Sequence, residues 1–410
     1  MAVGLSEPDK IFPVAGVKLA SVAAGIKKSG SNDLVVFLFD EDTTCAATFT
    51  QNAFCAAPVT LAKKHLSLLQ NSHQQPRALL INSGNANAGT GERGLKNAEQ
   101  SCHWLAETLQ LSTEQVLPFS TGVIGEQLPM SALQFGISDI AANLDEDNWL
   151  SAATGIMTTD TIAKAASKTI TLDGQKITIS GIAKGSGMIC PNMATMLAFI
   201  ATDADIEAEF LQRCLSTVVE GSFNAITVDG DTSTNDACVL VATAAAKNKQ
   251  LDTSSSEAEM FVQTLNEVCQ QLAQAIVRDA EGATKFVTVE VIQADSTEEA
   301  KNVAYTISHS PLVKTALFAS DPNWGRILAA VGRAGIGQLD ISGVNIYLGD
   351  VRIVKRGGVD EDYTEEKGQN VMNQEEILIK VELGRGEHSA QIWTSDLSHE
   401  YVRINSEYRS

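Results

Sequence analysis

The sequence predicts an α+β fold in which layered sheets are covered by helices on their outer sides. Three observations carry this expectation. Strand-like and helix-like patterns are mixed along the chain without the regular βαβ alternation of a doubly wound fold. An apolar content of 44% and a charged content of 20% are ordinary for a globular chain and permit a large buried core. The 410 residues exceed one typical core, so two domains, or one large domain in two parts, are expected.

Leu34–Phe39 and Ala78–Ile81 are short apolar runs and read as buried strands. Leu61–Leu69 and Gly94–Leu109 repeat apolar residues at spacings of three and four, as helices do. Val116–Phe119 reads as a further strand, ending in a Ser120-Thr121-Gly122 turn. Lys168–Ile182 alternates around Asp173-Gly174, a pair suited to a type I′ hairpin turn. A glycine-rich turn over Lys184-Gly-Ser-Gly-Met188 follows, and Cys190-Pro-Asn-Met-Ala194 leads into a strand from Thr195 to Ala201. Next come a helix near Ile206–Val219, a strand Ala237–Ala244, a long helix around Ser255–Asp279 and a strand Lys285–Ile292. Thr297–Val303 and Trp324–Val331 fall in helices. The acidic stretch Asp360–Glu366 marks an exposed, solvated loop between late strands. A polar tail such as Tyr401–Ser410 is more often frayed than ordered.

The formal charge of −20, spread along the chain, argues against a nucleic-acid backbone or an anionic membrane as main partner. It leaves room for small anionic substrates in a locally positive site. The N-terminus lacks a basic start followed by an apolar run, and no apolar run is long enough to span a bilayer. The seven cysteines are widely spaced with no C-x-x-C pair, so a reducing, cytoplasmic setting is expected. The six histidines show no metal-binding spacing, and no metal is expected.

Thr195 is the position with the most chemistry to offer. A threonine hydroxyl barely ionises at neutral pH and needs a base within reach. A threonine that is the first residue of a chain has one in its own α-amine, which titrates at about 7.7–8.0. An internal threonine gains that state only by chain cleavage. Ala194 is small, so little blocks attack by the Thr195 hydroxyl on the preceding carbonyl, and Pro191, Gly185 and Gly187 suit a bent approach. From the local pattern alone, a threonine opening a strand is more often an ordinary β-branched residue of a sheet.

The wider sequence changes that balance. Lys184-Gly-Ser-Gly-Met-Ile-Cys-Pro-Asn-Met-Ala-Thr-Met-Leu-Ala-Phe-Ile-Ala-Thr-Asp203 resembles the autoprocessing segment of the ornithine acetyltransferase family, also called glutamate N-acetyltransferase. Asn82-Ser-Gly-Asn-Ala-Asn-Ala88, Ser120-Thr-Gly-Val-Ile-Gly125 and Met157-Thr-Thr-Asp160 are similar to that family too. So are Val228-Asp-Gly-Asp-Thr-Ser-Thr-Asn-Asp236, Glu281-Gly-Ala-Thr-Lys-Phe286 and Asp321-Pro-Asn-Trp-Gly-Arg326, and all keep the family's order. The resemblance spans nearly the whole chain.

The resemblance implies a layered αββα sandwich like that of N-terminal-nucleophile enzymes, with a smaller C-terminal α/β part from about residue 290. It implies self-cleavage between Ala194 and Thr195, giving an α chain of residues 1–194 and a β chain of 195–410. Thr195 then takes acetyl from N2-acetyl-L-ornithine and passes it to L-glutamate through an acetyl-threonine ester, in arginine biosynthesis. Thr121 and Gly122 match the family's oxyanion positions. Thr158, Lys184, Thr195, Glu281, Asn405 and Ser410 match its substrate-binding positions, with Ser410 where many members have threonine. Lys184 would meet a carboxylate, Glu281 would hold an ammonium, and the C-terminal tail would fold back over the pocket. No cofactor is expected, and acetyl-CoA is a candidate second acetyl donor. The expected partners are the two substrates and the two chains of an α2β2 heterotetramer.

Two motifs are set aside. Gly89-Thr-Gly-Glu-Arg-Gly94 fits a dinucleotide fingerprint, but the preceding strand ends well before it and the rest of a βαβ unit is not evident. Asp229–Asp236 suggests a calcium loop, but its sixth position is Thr234 rather than glycine and its twelfth is Leu240 rather than glutamate. It reads as a turn near the site. No ATP-binding P-loop occurs. Two other functions compete: a self-cleaving aminopeptidase or amidase that passes the acyl group to water, and a non-catalytic amino-acid-binding protein that never cleaves.

Overall fold

The structure, a computed structural model, describes residues 2–8, 10–27, 29–190 and 196–407. Its first strands are β1 (Val17–Val22), β2 (Leu34–Phe39), β3 (Thr44–Phe49), β4 (Ala78–Asn85) and β5 (Val116–Val123). The hairpin follows as β6 (Lys164–Leu172) and β7 (Gln175–Lys184), then β8 (Leu197–Thr202), β9 (Ile226–Thr227) and β10 (Ala237–Ala242). The late strands are β11 (Phe286–Ala294), β12 (Asn345–Leu348), β13 (Val351–Lys355), β14 (Gly358–Val359), β15 (Glu376–Glu382) and β16 (His388–Ser395). The helices are α1 (Ala57–Asn71), α2 (Gly91–Leu109), α3 (Met130–Ile140), α4 (Trp149–Gly155), α5 (Ala208–Glu220) and α6 (Ala258–Arg278). They continue as α7 (Thr297–Ser308), α8 (Pro311–Phe318), α9 (Trp324–Gly332), α10 (Glu365–Met372) and α11 (His399–Ser406).

β1-β2-β4-β5 form one sheet and β3-β10-β8-β7-β6 a second. Alternate residues of each strand point to the space between them. Leu19, Val35, Phe37, Ile81 and Phe119 from the first sheet meet Ile182, Leu197, Phe199 and Val239 from the second. Phe199 lies at the centre, with its ring centroid 5.7 Å from Phe37 and 5.1 Å from Phe119. The outer side of the first sheet buries Leu61 of α1, Cys102 and Leu105 of α2 and Ile137 of α3. The outer side of the second buries Leu211 and Leu215 of α5 and Leu265 and Leu272 of α6. The order is therefore helix, sheet, sheet, helix, the αββα layering expected. A third sheet, β14-β13-β12-β15-β11-β16-β9, shares one continuous core with the α5–α6 layer.

The hairpin forms where its turn chemistry requires. Asp173 and Gly174 both take positive φ, 54° and 77°, which matches the twist of the flanking strands. Other expectations need correction. Ser120-Thr121-Gly122 is not a turn after a strand; all three remain in β5 and pair with β4. The acidic stretch is not wholly solvated, because Asp360 is buried against Arg352 and Glu365 and Glu366 open α10. Residues 401–406 are helical rather than frayed. Gly89–Gly94 does lie in a βαβ unit, since β4 runs to Asn85 and β4 and β5 are parallel on either side of α2. Its loop is nevertheless internally satisfied: Thr90 Oγ1 donates to Asn87 Oδ1 at 2.8 Å, and Glu92 already occupies the positive first turn of α2. Among the described residues no helix is long and apolar enough to cross a membrane.

Candidate active site

A pocket of about 260 Å³ opens where the ends of β5 and β7 approach each other across the sandwich. Its lining includes Thr121, Gly122, Thr158, Lys184, Glu281 and Asn405. Residues from five separate stretches of sequence thus meet at one place. Thr195 and Ala194 lie outside the described residues, as does Ser410. The described chain resumes at Met196, whose carbonyl accepts Ala237 N–H at 3.2 Å, and the next residue, Leu197, pairs with Lys184. The first described residue after the expected cleavage position, Met196, therefore directly precedes the β8 residue that pairs with Lys184.

The β5 side of the pocket is held by close backbone packing. Gly122 has φ of 131°, and a Cβ there would fall 2.3 Å from the Gly84 carbonyl carbon. Only glycine fits. Ser120 Oγ donates to Asn82 Oδ1 at 2.6 Å, and Asn235 Nδ2 donates to Ser120 O at 2.9 Å and to Ala86 O at 2.7 Å. These bonds fix the backbone before Thr121, as the Gly122 packing fixes it after. Lys184 Nζ reaches across from β7 and donates to Thr121 Oγ1 at 3.3 Å. Because the hydroxyl oxygen accepts from Lys184, its own proton is free to point elsewhere.

The opposite side is made of two loops and the end of a strand. Thr158 lies between α4 and β6, Lys184 is the last residue of β7, and Glu281 follows α6. The Glu281 carboxylate packs so tightly on Gly187 that a Cβ there would lie 2.5 Å from it. Asn405 Nδ2, from α11, donates to Glu281 Oε2 at 2.7 Å. Asp229 binds α11 to the segment before the expected cleavage position: it accepts Met188 N–H at 2.6 Å, Ile189 N–H at 3.0 Å and the Tyr401 hydroxyl at 3.1 Å.

Buried charge backs this side. Burial pulls the Lys184 pKa down, while Asp160 pulls it back up. Burial alone would raise the Asp160 carboxyl, but Lys164 and Lys184 hold it well below the usual range. Asp236, 1% exposed, is pushed far up by burial, and its Oδ2 has no hydrogen-bond partner. Burial thus favours its neutral form.

Four residues were not singled out by sequence reasoning. Asn235 and Ser233 line the pocket, Asp236 adjoins it, and Asp160 underpins it. All four belong to quoted motifs, Met157–Asp160 and Val228–Asp236, so a signal was present. Asp279, taken only as the end of a long helix, had none.

The model of the ArgJ family matches residues 18–410. The arginine biosynthesis bifunctional protein ArgJ of Pseudomonas fluorescens is 54% identical over 413 residues, covering 100% of this chain and 100% of its own length. That of Methylococcus capsulatus is 54% identical over 401 residues, covering 98% and 97%. Among solved structures, the arginine biosynthesis bifunctional protein of Bacillus halodurans is 39% identical with a TM-score of 0.48, covering 50% of this chain and 96% of that one. The ornithine acetyltransferase of Mycobacterium tuberculosis, solved with ornithine, is 31% identical with a TM-score of 0.37, covering 44% and 92%.

Proposed function

The chain belongs to the ArgJ family and is an acetyltransferase of arginine biosynthesis; on that premise we propose that it moves acetyl from N2-acetyl-L-ornithine to L-glutamate by way of Thr195, freed by self-cleavage after Ala194. The observation that carries this reading is the gathering of Thr121, Gly122, Thr158, Lys184, Glu281 and Asn405 around one pocket. That set offers hydroxyl and backbone donors for an oxyanion, a cation for a carboxylate and an anion for an ammonium.

The steps follow from these groups. Thr195 Oγ attacks the acetyl carbonyl as its α-amine takes the hydroxyl proton. The carbonyl electrons move to oxygen, where the Thr121 hydroxyl and Gly122 N–H donate to the developing charge. Collapse breaks the C–N bond; the ornithine nitrogen leaves with the proton, and an acetyl ester remains on Thr195. The α-amine of glutamate then attacks the ester. A second oxyanion forms in the same place, and collapse releases N-acetylglutamate as Thr195 Oγ regains its proton. Lys184 holds the amino-acid carboxylate and Glu281 an ammonium in both halves. Asn405 and Ser410 close the site from the C-terminal end.

The relatives' names contain the word bifunctional, which supports a second activity. We assign it to acetyl transfer from acetyl-CoA to glutamate. The cleaved chains assemble as α2β2 in the cytoplasm. The test is incubation with N2-acetylornithine, with and without glutamate. Transfer predicts N-acetylglutamate formation; acetate release indifferent to glutamate would sink it in favour of hydrolysis. Thr195→Ala is expected to remain whole and inactive. A persistent single band near 43.6 kDa from active wild-type protein contradicts cleavage.

A further inference from the structure

Asp160, Lys164 and Asp279 form a buried ion triad behind the pocket. Lys164 Nζ lies 2.6 Å from Asp160 Oδ1 and 2.7 Å from Asp279 Oδ2, and the three side chains are 0–1% exposed. The other bonds of both carboxylates go to pocket loops. Asp160 accepts Thr158 N–H at 2.9 Å and Gly185 N–H at 2.7 Å. Asp279 accepts Thr161 N–H at 2.9 Å and also the Thr161 hydroxyl. Asp279 stands two residues before Glu281, whose N–H donates to Ser186 O at 2.9 Å. One triad thereby joins the segments that carry Thr158, Lys184 and Glu281.

Stability does not account for it. Replacing a buried ion group by apolar side chains of similar volume is often neutral, or stabilising by about 1–4 kcal/mol. An apolar trio could not accept these N–H groups, and it could not balance Lys184. Two carboxylates against Lys164 leave one net negative charge in the triad, and Asp160 is the first of the acidic neighbours of Lys184, with Asp236 and Glu281 after it.

We propose that the Asp160–Lys164–Asp279 triad is the positioning element of the carboxylate site, setting the backbones of Thr158 and Gly185 and placing negative charge behind Lys184. The proposal rests on the reading of Lys184 as the partner of the substrate carboxylate. Asp160 is the influence that most opposes the effect of burial on Lys184.

The test is a preference ratio. kcat/KM is measured for N2-acetylornithine and for N-acetylputrescine, the same donor without its carboxylate. Wild type is expected to favour the carboxylate-bearing donor. Lys184→Met is expected to cut that preference by about tenfold or more, the worth of a charge-assisted hydrogen bond. Asp160→Asn is expected to cut it to a similar extent, whatever fall in rate the two donors share. General damage to packing lowers both donors alike and leaves the ratio intact. Should Asp160→Asn not fold, Asp160→Asn/Lys164→Met keeps the triad's net charge but removes the carboxylate bonded to the Thr158 and Gly185 N–H groups, and the same loss of preference is expected. For a variant that folds without turnover, the ratio is read from calorimetric binding of ornithine and putrescine. Preference kept in the Asp160 variants but lost in Lys184→Met overturns the triad. Preference kept in Lys184→Met overturns the carboxylate reading beneath it.

Discussion

The wall of the pocket that carries Thr121 and Gly122 is supported by Asn82, Ser120, Asn235 and the Gly84 backbone, all neutral groups. The wall that carries Thr158, Lys184 and Glu281 is supported by Asp160, Lys164 and Asp279, all charged and buried. Shape specifies the first. Gly122 approaches Gly84 too closely for any side chain, and neutral hydrogen bonds hold the backbone there. Charge balance specifies the second, where each carboxylate answers both an ammonium and a backbone N–H. An oxyanion site needs donors aimed at one point, which rigid packing provides. A site for a charged amino acid needs fixed ions, and burying them requires matched partners.

The largest expected effect comes from unbalancing the charged wall. Lys164→Met leaves Asp160 and Asp279 facing each other without a cation, and stability is expected to fall by about 3–5 kcal/mol. Urea unfolding measures it; a loss comparable to that of an exposed lysine would show that the triad is not an electrostatic unit. On the neutral wall, Gly122→Ala forces β5 away from β4. The expected outcome is a fall in kcat of about 10²–10³, with far less change in KM.

Asp236 follows the pocket-lining Asn235 and is buried. Its pKa is raised in the folded state, so between the unfolded value near ~3.9 and the folded value the native protein binds more protons than the unfolded chain. Stability contributed by its protonated form is complete below that window and is lost as pH rises through it. Asp236→Asn is expected to flatten this decline, gaining on wild type at pH 8 relative to pH 5. Denaturant midpoints across that range check it, and parallel curves for the two proteins would refute it. The smallest effect is at the pocket mouth. Asn405→Ala removes the 2.7 Å bond to Glu281 and is expected to raise KM by about threefold to tenfold with kcat nearly constant.

Much of this molecule was readable before its structure. Leu34–Phe39 is strand β2 to the residue, and Gly94–Leu109 lies within α2, because apolar periodicity is a local property of the chain. Asp173-Gly174 names its own turn. The family was readable from motifs spread between Asn82 and Arg326. Ser120-Thr121-Gly122 was misread because small polar residues signal a turn locally, and what keeps them in a strand is β4, about forty residues earlier. Asp360 was misread because its partner Arg352 sits on β13, and the chain turns back through β14 to bring the two together.

What the sequence determined by itself was the elements with strong local periodicity, the hairpin turn and the family, and with the family the chemistry to expect at Thr195. These depend on residue type and short spacing, which a chain carries without folding. Only the tertiary structure decided that Lys184 meets Thr121, that Asn405 meets Glu281, and that Lys164 balances Asp160 and Asp279. Those contacts join residues as much as 124 positions apart, and burial gives them their strength. A lysine and an aspartate are ordinary surface residues until a fold removes the water between them.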